Sequence, residues 1–306
     1  KYDQAEKIGG WFKRDASASN AMSGVPRNIL PHRDTNGSKM IFFGTSTHVY
    51  AEYGGVIRDI TPYKTANVNL TNPFTTGTAG SSVVTVTDAS NTIAQTTPPS
   101  RIVISSIASG TVDGVTITAG EYLATYVSAT QYTLTAVAGT GASISGTASS
   151  GSTTGGGAVV LRYLVSNGPS DGLTGFGFGT GLWSSSTWGT ARSTSGVVLS
   201  PRVWTMDAWG EDILASIGGG EDTLYYFDVS AFIAAPATYR GSTLGQYVTS
   251  VGGDASAIPT KVGVVLVSTP DRHVVVFGST PEGSATYDRM TVRWCSQESL
   301  SDWNTQ

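Results

Sequence analysis

The sequence predicts an all-β protein: a β-propeller that this chain does not complete, carrying an inserted small β-barrel or β-sandwich. Three observations predict it. Only 13% of residues are charged, against about 25% in ordinary soluble domains, while Thr, Ser, Gly, Val and Tyr, the residues of strands and tight turns, are abundant. A four-stranded antiparallel meander recurs three times. Between its first two occurrences lies a long, almost uncharged stretch of alternating residues. A disordered chain would combine low hydrophobicity with high net charge; here 39% of residues are hydrophobic and the net charge is −4. With 306 residues, the chain suffices for one large domain or two ordinary ones.

Taken in order, residues 1–24, with "KIGGWFKR", either supply part of a further blade or leave the ring to be completed by chain not present here. The first unit, "VPRNILPHRDTNGSKMIFFGTSTHVYAEYGGVIRDITP", runs from Val25 to Pro62. The second runs from Pro201 to Pro236 and the third from Ile258 to Asn304. Each opens with a strand and a polar turn ("RDTNGSK", "WGED", "TPDRH"). Each continues with an apolar run and a small-residue stop ("MIFFG", "ILASIG", "VVVFG"), then an aromatic or branched strand ("HVYAEY", "TLYYFD", "TVRWCS"). The middle strand is apolar on both faces, as a strand sandwiched between neighbouring sheets requires, and radial stacking of sheets satisfies that requirement.

From Ala66 to Leu161 only Asp88, Arg101, Asp113 and Glu121 are charged. "SSVVTVTDAS", "SRIVISSIAS", "GVTITAGEYLATYVS" and "QYTLTAVAG" read as strands with Gly or Ser/Thr turns. "GTGASISGTASSGSTTGGG" is expected to be mobile or a long hairpin tip. The expected division is residues 1–63 as N-terminal segment and first blade, 64–168 as inserted β-domain, 169–200 as a Gly/aromatic crossover loop, and 201–306 as further blades. In that loop, "GFGFGTGLWSSSTWGTARSTSG" places Phe176, Phe178, Trp183 and Trp188 among six glycines with Arg192 as the one charge. The glycines let backbones approach closely, and the aromatics offer large contact area with few rotamers to freeze. These four rings are the candidate packing residues, either at an interface between subunits or as a plug within the chain.

Signals for chemistry are sparse. His32, His48 and His273 lack the spacing of a metal site, and His48 and His273 stand where strands open, which favours structural roles. "GTSTH" places Ser46 near His48 only as a turn, and no G-x-S-x-G elbow is present. "GFGFGTG" fails the dinucleotide fingerprint because Thr180 and Leu182 stand where the third glycine belongs. "DTNGS" lacks the rest of a calcium loop and reads as a hairpin turn. Asp207, Glu211, Asp212, Glu221 and Asp222 lie at blade turns and are the acids a sugar-cleaving propeller would use. The bland reading, solvated turn acids, is preferred. No catalytic, cofactor-binding or metal-binding residue is therefore assigned, and the chain is read as non-enzymatic. Without a lysine/arginine run, a groove gripping DNA phosphates is not expected. Cys295, the single cysteine, excludes an intrachain disulfide and reads as a small core or strand residue. No stretch has the ~18–20 apolar residues of a membrane-spanning helix. No basic-then-apolar leader opens the chain, and its first residue, Lys1, suggests processing or a portion of something longer.

Several segments together carry a resemblance. They are "EKIGGWFKR" followed by the first unit, "NLTNPFTT" before the insert, "GFGFGTGLWSSSTWGT", "SPRVWTMDAWGEDILAS", and the closing "TVRWCSQESLSDWN". In combination they resemble the tail nozzle, or tail tubular protein B-like, propeller proteins of short-tailed bacteriophages. The likeness covers most of the chain outside the insert. It implies a virion protein of the phage tail: a ring of identical copies, six in such proteins, below the adaptor on the portal and in contact with other tail proteins. DNA would pass through that ring without specific binding. The chain is short for that family, and related propellers also occur in long-tailed phages. The alternative is a receptor-binding, or carbohydrate-binding or -cleaving, propeller of the tail.

Overall fold

A computed structural model describes residues 22–91, 93, 100–165, 203–219 and 222–303. These residues are nearly all β, as the sequence predicts. The first unit forms a four-stranded antiparallel meander: β1 (Pro26–Arg33), β2 (Lys39–Thr45), β3 (Val49–Tyr53) and β4 (Val56–Asp59), paired in chain order. "DTNGS" is the β1–β2 turn: Asp34 Oδ1 accepts from the Ser38 amide at 2.6 Å, and Gly37 takes a positive φ of 86°.

The insert contributes β5 (Val68–Thr71), β6 (Phe74–Thr76), β7 (Val84–Thr87), β8 (Ser100–Ile107), β9 (Thr111–Val112), β10 (Val115–Ile117), β11 (Gly120–Ser128), β12 (Gln131–Ala136), β13 (Ile144–Ser145), β14 (Thr154–Gly155) and β15 (Ala158–Tyr163). Eight of them form one sheet in the order β14-β6-β7-β12-β11-β8-β15-β5, and β13-β10-β9 form a smaller one. The large sheet curls around a core that includes Phe74, Val86, Ile102, Tyr122, Tyr132 and Leu161. Asn72, just past β5, extends the β5–β15 ladder by one position: its amide donates to Gly157 O and its Oδ1 accepts from the Gly157 amide.

The glycine/serine run does not form a mobile tip or a hairpin. It supplies β13 to the smaller sheet and β14 to the edge of the larger one, with Ala148 between them buried. Asp113 orders it, accepting from the Ser150 amide and hydroxyl and from the Gly151 amide at 2.7–3.0 Å. Composition alone gave no sign of this anchor, because Asp113 lies 37 residues upstream of Ser150.

The second unit is β16 (Thr205–Trp209), β17 (Asp212–Ser216), β18 (Tyr225–Phe227) and β19 (Ser242–Thr243), again paired in order. Two short helices, α1 (Val229–Ala234) and α2 (Leu244–Ser250), decorate it. The all-strand reading of this region missed both. Asp228 caps α1, and Thr243 with Gln246 forms a capping box on α2, a T-x-x-Q signal that the sequence does carry. The third unit is β20 (Val262–Val267), β21 (Val274–Ser279) and β22 (Asp288–Trp294), three strands among the described residues where the sequence reading has four, because the segment after β22 turns inward to seat Trp303.

The three meanders stack face to face, as successive propeller blades do, with β16 lying beside both β1 and β20. Period-two alternation explains how the middle sheet serves both neighbours. Ile213, Ala215 and Phe227 join Met40 and Phe42 of the first sheet. Leu214 and Tyr226 join Val265, Val267, Val274 and Val276 of the third. Each buried aliphatic side chain here contributes about 2 kcal/mol of hydrophobic stabilisation.

The small-residue stops have a tertiary cause. A Cβ at Gly44 would sit 2.6 Å from the Trp204 ring, and one at Gly278, whose φ is +70°, 2.4 Å from the Tyr287 hydroxyl. The closing motif is explained too. Ser296 Oγ donates to Asp302 Oδ2 at 2.7 Å, and the Ser296 amide to Asp302 O at 2.8 Å, which seats Trp303 in the core.

Candidate assembly interface

A few of the charges the sequence leaves scattered are brought into ion pairs: Arg101 with Glu121, Arg240 with Asp59, Lys64 with Asp222 and Arg272 with Glu298. Where the first sheet meets the insert, His48, just before β3, lies 3.4 Å from Glu121 of β11, which also receives Arg101 of β8. Asp59 of β4 receives Arg240, from the segment between α1 and β19, and the Thr61 hydroxyl at 2.5 Å. One polar junction thus ties together the first sheet, the insert and the second unit. Burial opposes ionisation of Glu121, but the contacts with His48 and Arg101 outweigh it and hold the carboxyl below its usual range. Tyr50 is pushed up to about 12, first by burial and then by the nearby Asp59 and Glu121 charges; its hydroxyl accepts from the Ser23 amide.

His48, Asp59 and Glu121 place potential ligand atoms within 4.8 Å of one another. Each carboxylate there is already met by a guanidinium, so the charge a cation would neutralise is taken by Arg101 and Arg240. Sequence spacing could not show this cluster, because its members and their guanidinium partners come from three strands (β4, β8 and β11) and two loops. His273 makes a local contact, its Nδ1 lying 2.9 Å from Cys295 O. Cys295 itself is buried, with its Sγ accepting from the Val274 amide at 3.0 Å, and burial pushes its thiol up.

The acids at blade turns go to separate partners. Asp207 Oδ2 accepts from the Val267 amide at 2.7 Å, linking β16 to β20. Glu211 receives the Thr35 hydroxyl. Asp212 accepts from the Tyr226 hydroxyl and from the Val229 amide at 2.9 Å. Asp222 is buried and pairs with Lys64 at 3.5 Å. Glu221 lies outside the described residues, as do Phe176, Phe178, Trp183 and Trp188. An open groove of about 430 Å³ runs past Tyr63, Arg162 and Arg240. The guanidinium of Arg162 lies 4.6 Å from the Tyr63 ring centroid, over the surface on which a sugar would stack.

The feature that sequence reasoning missed is the outer face of the third sheet. Along β22, Met290, Val292 and Trp294 are exposed while Arg293 is buried. Val264 pairs with Phe277, and Phe277 with Val292; Leu266 pairs with Val275, and Val275 with Trp294. The exposed members of these rows form one apolar face across three strands, Trp294 being 58% and Met290 87% exposed. The signal was present in "MTVRW", whose apolar residues alternate with Thr291 and Arg293, the latter turned inward. There, Arg293 donates to Trp303 O and Ala257 O, both at 2.8 Å, and to Thr280 O at 3.3 Å.

No helix among the described residues is long and apolar enough to cross a membrane. No family model and no curated protein matches the chain. Among solved structures it is similar to the phage phi92 endosialidase, at 11% identity and a TM-score of 0.24, over 90% of this chain and 37% of that one.

Proposed function

We propose that the chain is a structural, assembly-forming component of a bacteriophage tail, a subunit of the nozzle or tube wall through which DNA leaves the particle. The observation that carries the reading is the apolar outer face of β20–β22, because a monomer rarely leaves so continuous a surface in water. Two segments of the sequence resemblance support it by packing on each other: Trp204 of "SPRVWTMDAWGEDILAS" rests on Gly44 of the first unit, and its indole N–H donates to Thr45 O at 3.1 Å. The low charge and the pairing of Arg101, Arg240 and Lys64 with acids suit a wall that DNA passes without sticking.

Light scattering and negative-stain imaging of the purified chain test the reading. A closed oligomer with cyclic symmetry is expected, together with weak DNA retention at low salt. A monomer at about 100 µM, or tight DNA binding that falls steeply with salt, sinks it.

A further inference from the structure

The outer face of β20–β22 is apolar and exposed, and the chain carries a second exposed apolar strand face on β1. Within the chain, the first sheet covers one face of the second and the third covers the other, with first strands side by side. Among the described residues, the two end faces of this stack stay exposed. At one end, β20 exposes Val264 and Leu266, flanked by Phe277, Val292 and Trp294. At the other, β1 exposes Ile29 and Pro31, whose cross-strand partners Phe43 and Ile41 are half-buried. Ile29 is 59% exposed.

We propose that a second copy of this chain docks head to tail, laying its β1–β2 face on the β20–β22 face of the first. This deepens the assembly reading above and rests on it. A second copy fits this face better than another occupant on three grounds. The contact repeats the sheet-on-sheet stacking that already joins the first sheet to the second and the second to the third, so it continues an interface the fold uses twice. Both complementary surfaces stand on one chain, which is what a heterologous contact needs in order to close a ring. The β20–β22 face exposes six large apolar side chains, from 43% for Val264 to 87% for Met290, a contiguous row rather than the singly scattered hydrophobics of an ordinary monomer surface. Two arcs of three sheets make six sheets, within the range of about four to eight with which propellers close.

A complementation experiment tests the contact. One variant carries Phe277→Ser with Trp294→Ser and so lacks only the β20–β22 face. The other carries Ile29→Asp and lacks only the β1 face. All three substituted residues are exposed, so the far-ultraviolet circular dichroism of both folded variants should match the parent chain, while their melts fall with the lost association. Parent and variants are then compared by light scattering and sedimentation. The parent chain is expected to be oligomeric, and each variant to dissociate at least about 30-fold more readily, as loss of an interface hot spot does. An equimolar mixture of the two variants should recover a pair, because one intact face of each kind remains. If Phe277→Ser/Trp294→Ser dissociates the oligomer while Ile29→Asp leaves it intact, the faces meet like to like and the head-to-tail contact is wrong. If neither variant dissociates it, assembly uses another surface; the proposed contact falls and the structural-subunit reading stands. A parent chain monomeric at about 100 µM overturns both.

Discussion

Replacing Gly44 by alanine adds one methyl group at the point where the first and second units are keyed together. A Cβ there would lie 2.6 Å from both Cγ and Cδ1 of Trp204 and 2.7 Å from its Cβ. Ordinary contact needs about 3.4 Å or more, so the indole must retreat by close to 1 Å, or the backbone of β2 must shift. Neither has room. Trp204 is buried, packs edge-on against Tyr225 with centroids 5.9 Å apart, and donates to Thr45 O at 3.1 Å, while its carbonyl accepts from the Asn28 side chain at 2.9 Å. Overpacking of this kind costs about 1–3 kcal/mol, and a weakened indole hydrogen bond about 1 more. The expected destabilisation is about 2–4 kcal/mol, a fall in Tm of roughly 3–6 °C for a chain of this size. Near-ultraviolet circular dichroism and tryptophan fluorescence during thermal unfolding measure it. In a Trp204→Leu background, where the ring is gone, the same substitution should cost less than about 1 kcal/mol. A Tm for Gly44→Ala within about 1 °C of the parent, or an equal loss in both backgrounds, would refute the keying argument.

Arg293→Met removes the donors that Ala257, Thr280 and Trp303 carbonyls share; stability should fall by about 2–4 kcal/mol. Proteolysis should then cut first near Trp303, and unchanged proteolysis would deny Arg293 that anchoring role. Glu121, held below its ordinary pKa of 4.5 by its contacts with His48 and Arg101, contributes stability that is present above that value and is lost as pH falls through the lowered one. Glu121→Gln should therefore melt lower than the parent at neutral pH, with the gap narrowing as the carboxylate protonates. A gap that stays constant from neutral pH to pH 3 or so would show that the ion contacts contribute nothing.

Much of the fold was legible because it rests on short-range pattern. Period-two alternation in "QYTLTAVAG" and "SRIVISSIAS" gave the insert its strands, and "DTNGS" between apolar runs gave the first hairpin. Glycine at the end of "MIFFG" was readable as a stop, but not as the seat of Trp204, which lies 160 positions further on. The helices escaped because each spans under two turns and buries only two side chains, too little for a helical period to emerge. The candidate interface was sought in aromatics of a glycine-rich loop that falls outside the described residues. The apolar face the structure presents lies instead in strands already recognised, where a run such as "VGVVLV" or "MTVRW" looks the same whether one face or both are covered.

By itself, then, the sequence determined the class, the three recurring meanders and the uncharged insert, since strand alternation and turn chemistry act over a few residues. Only the tertiary structure decided which face of each sheet is covered and which charges meet. Asp113 ordering a glycine/serine run, Arg101 and Glu121 reaching His48, and Trp294 standing in water all depend on how sheets stack. Stacking is set by long-range contacts between strands whose local sequences are nearly interchangeable.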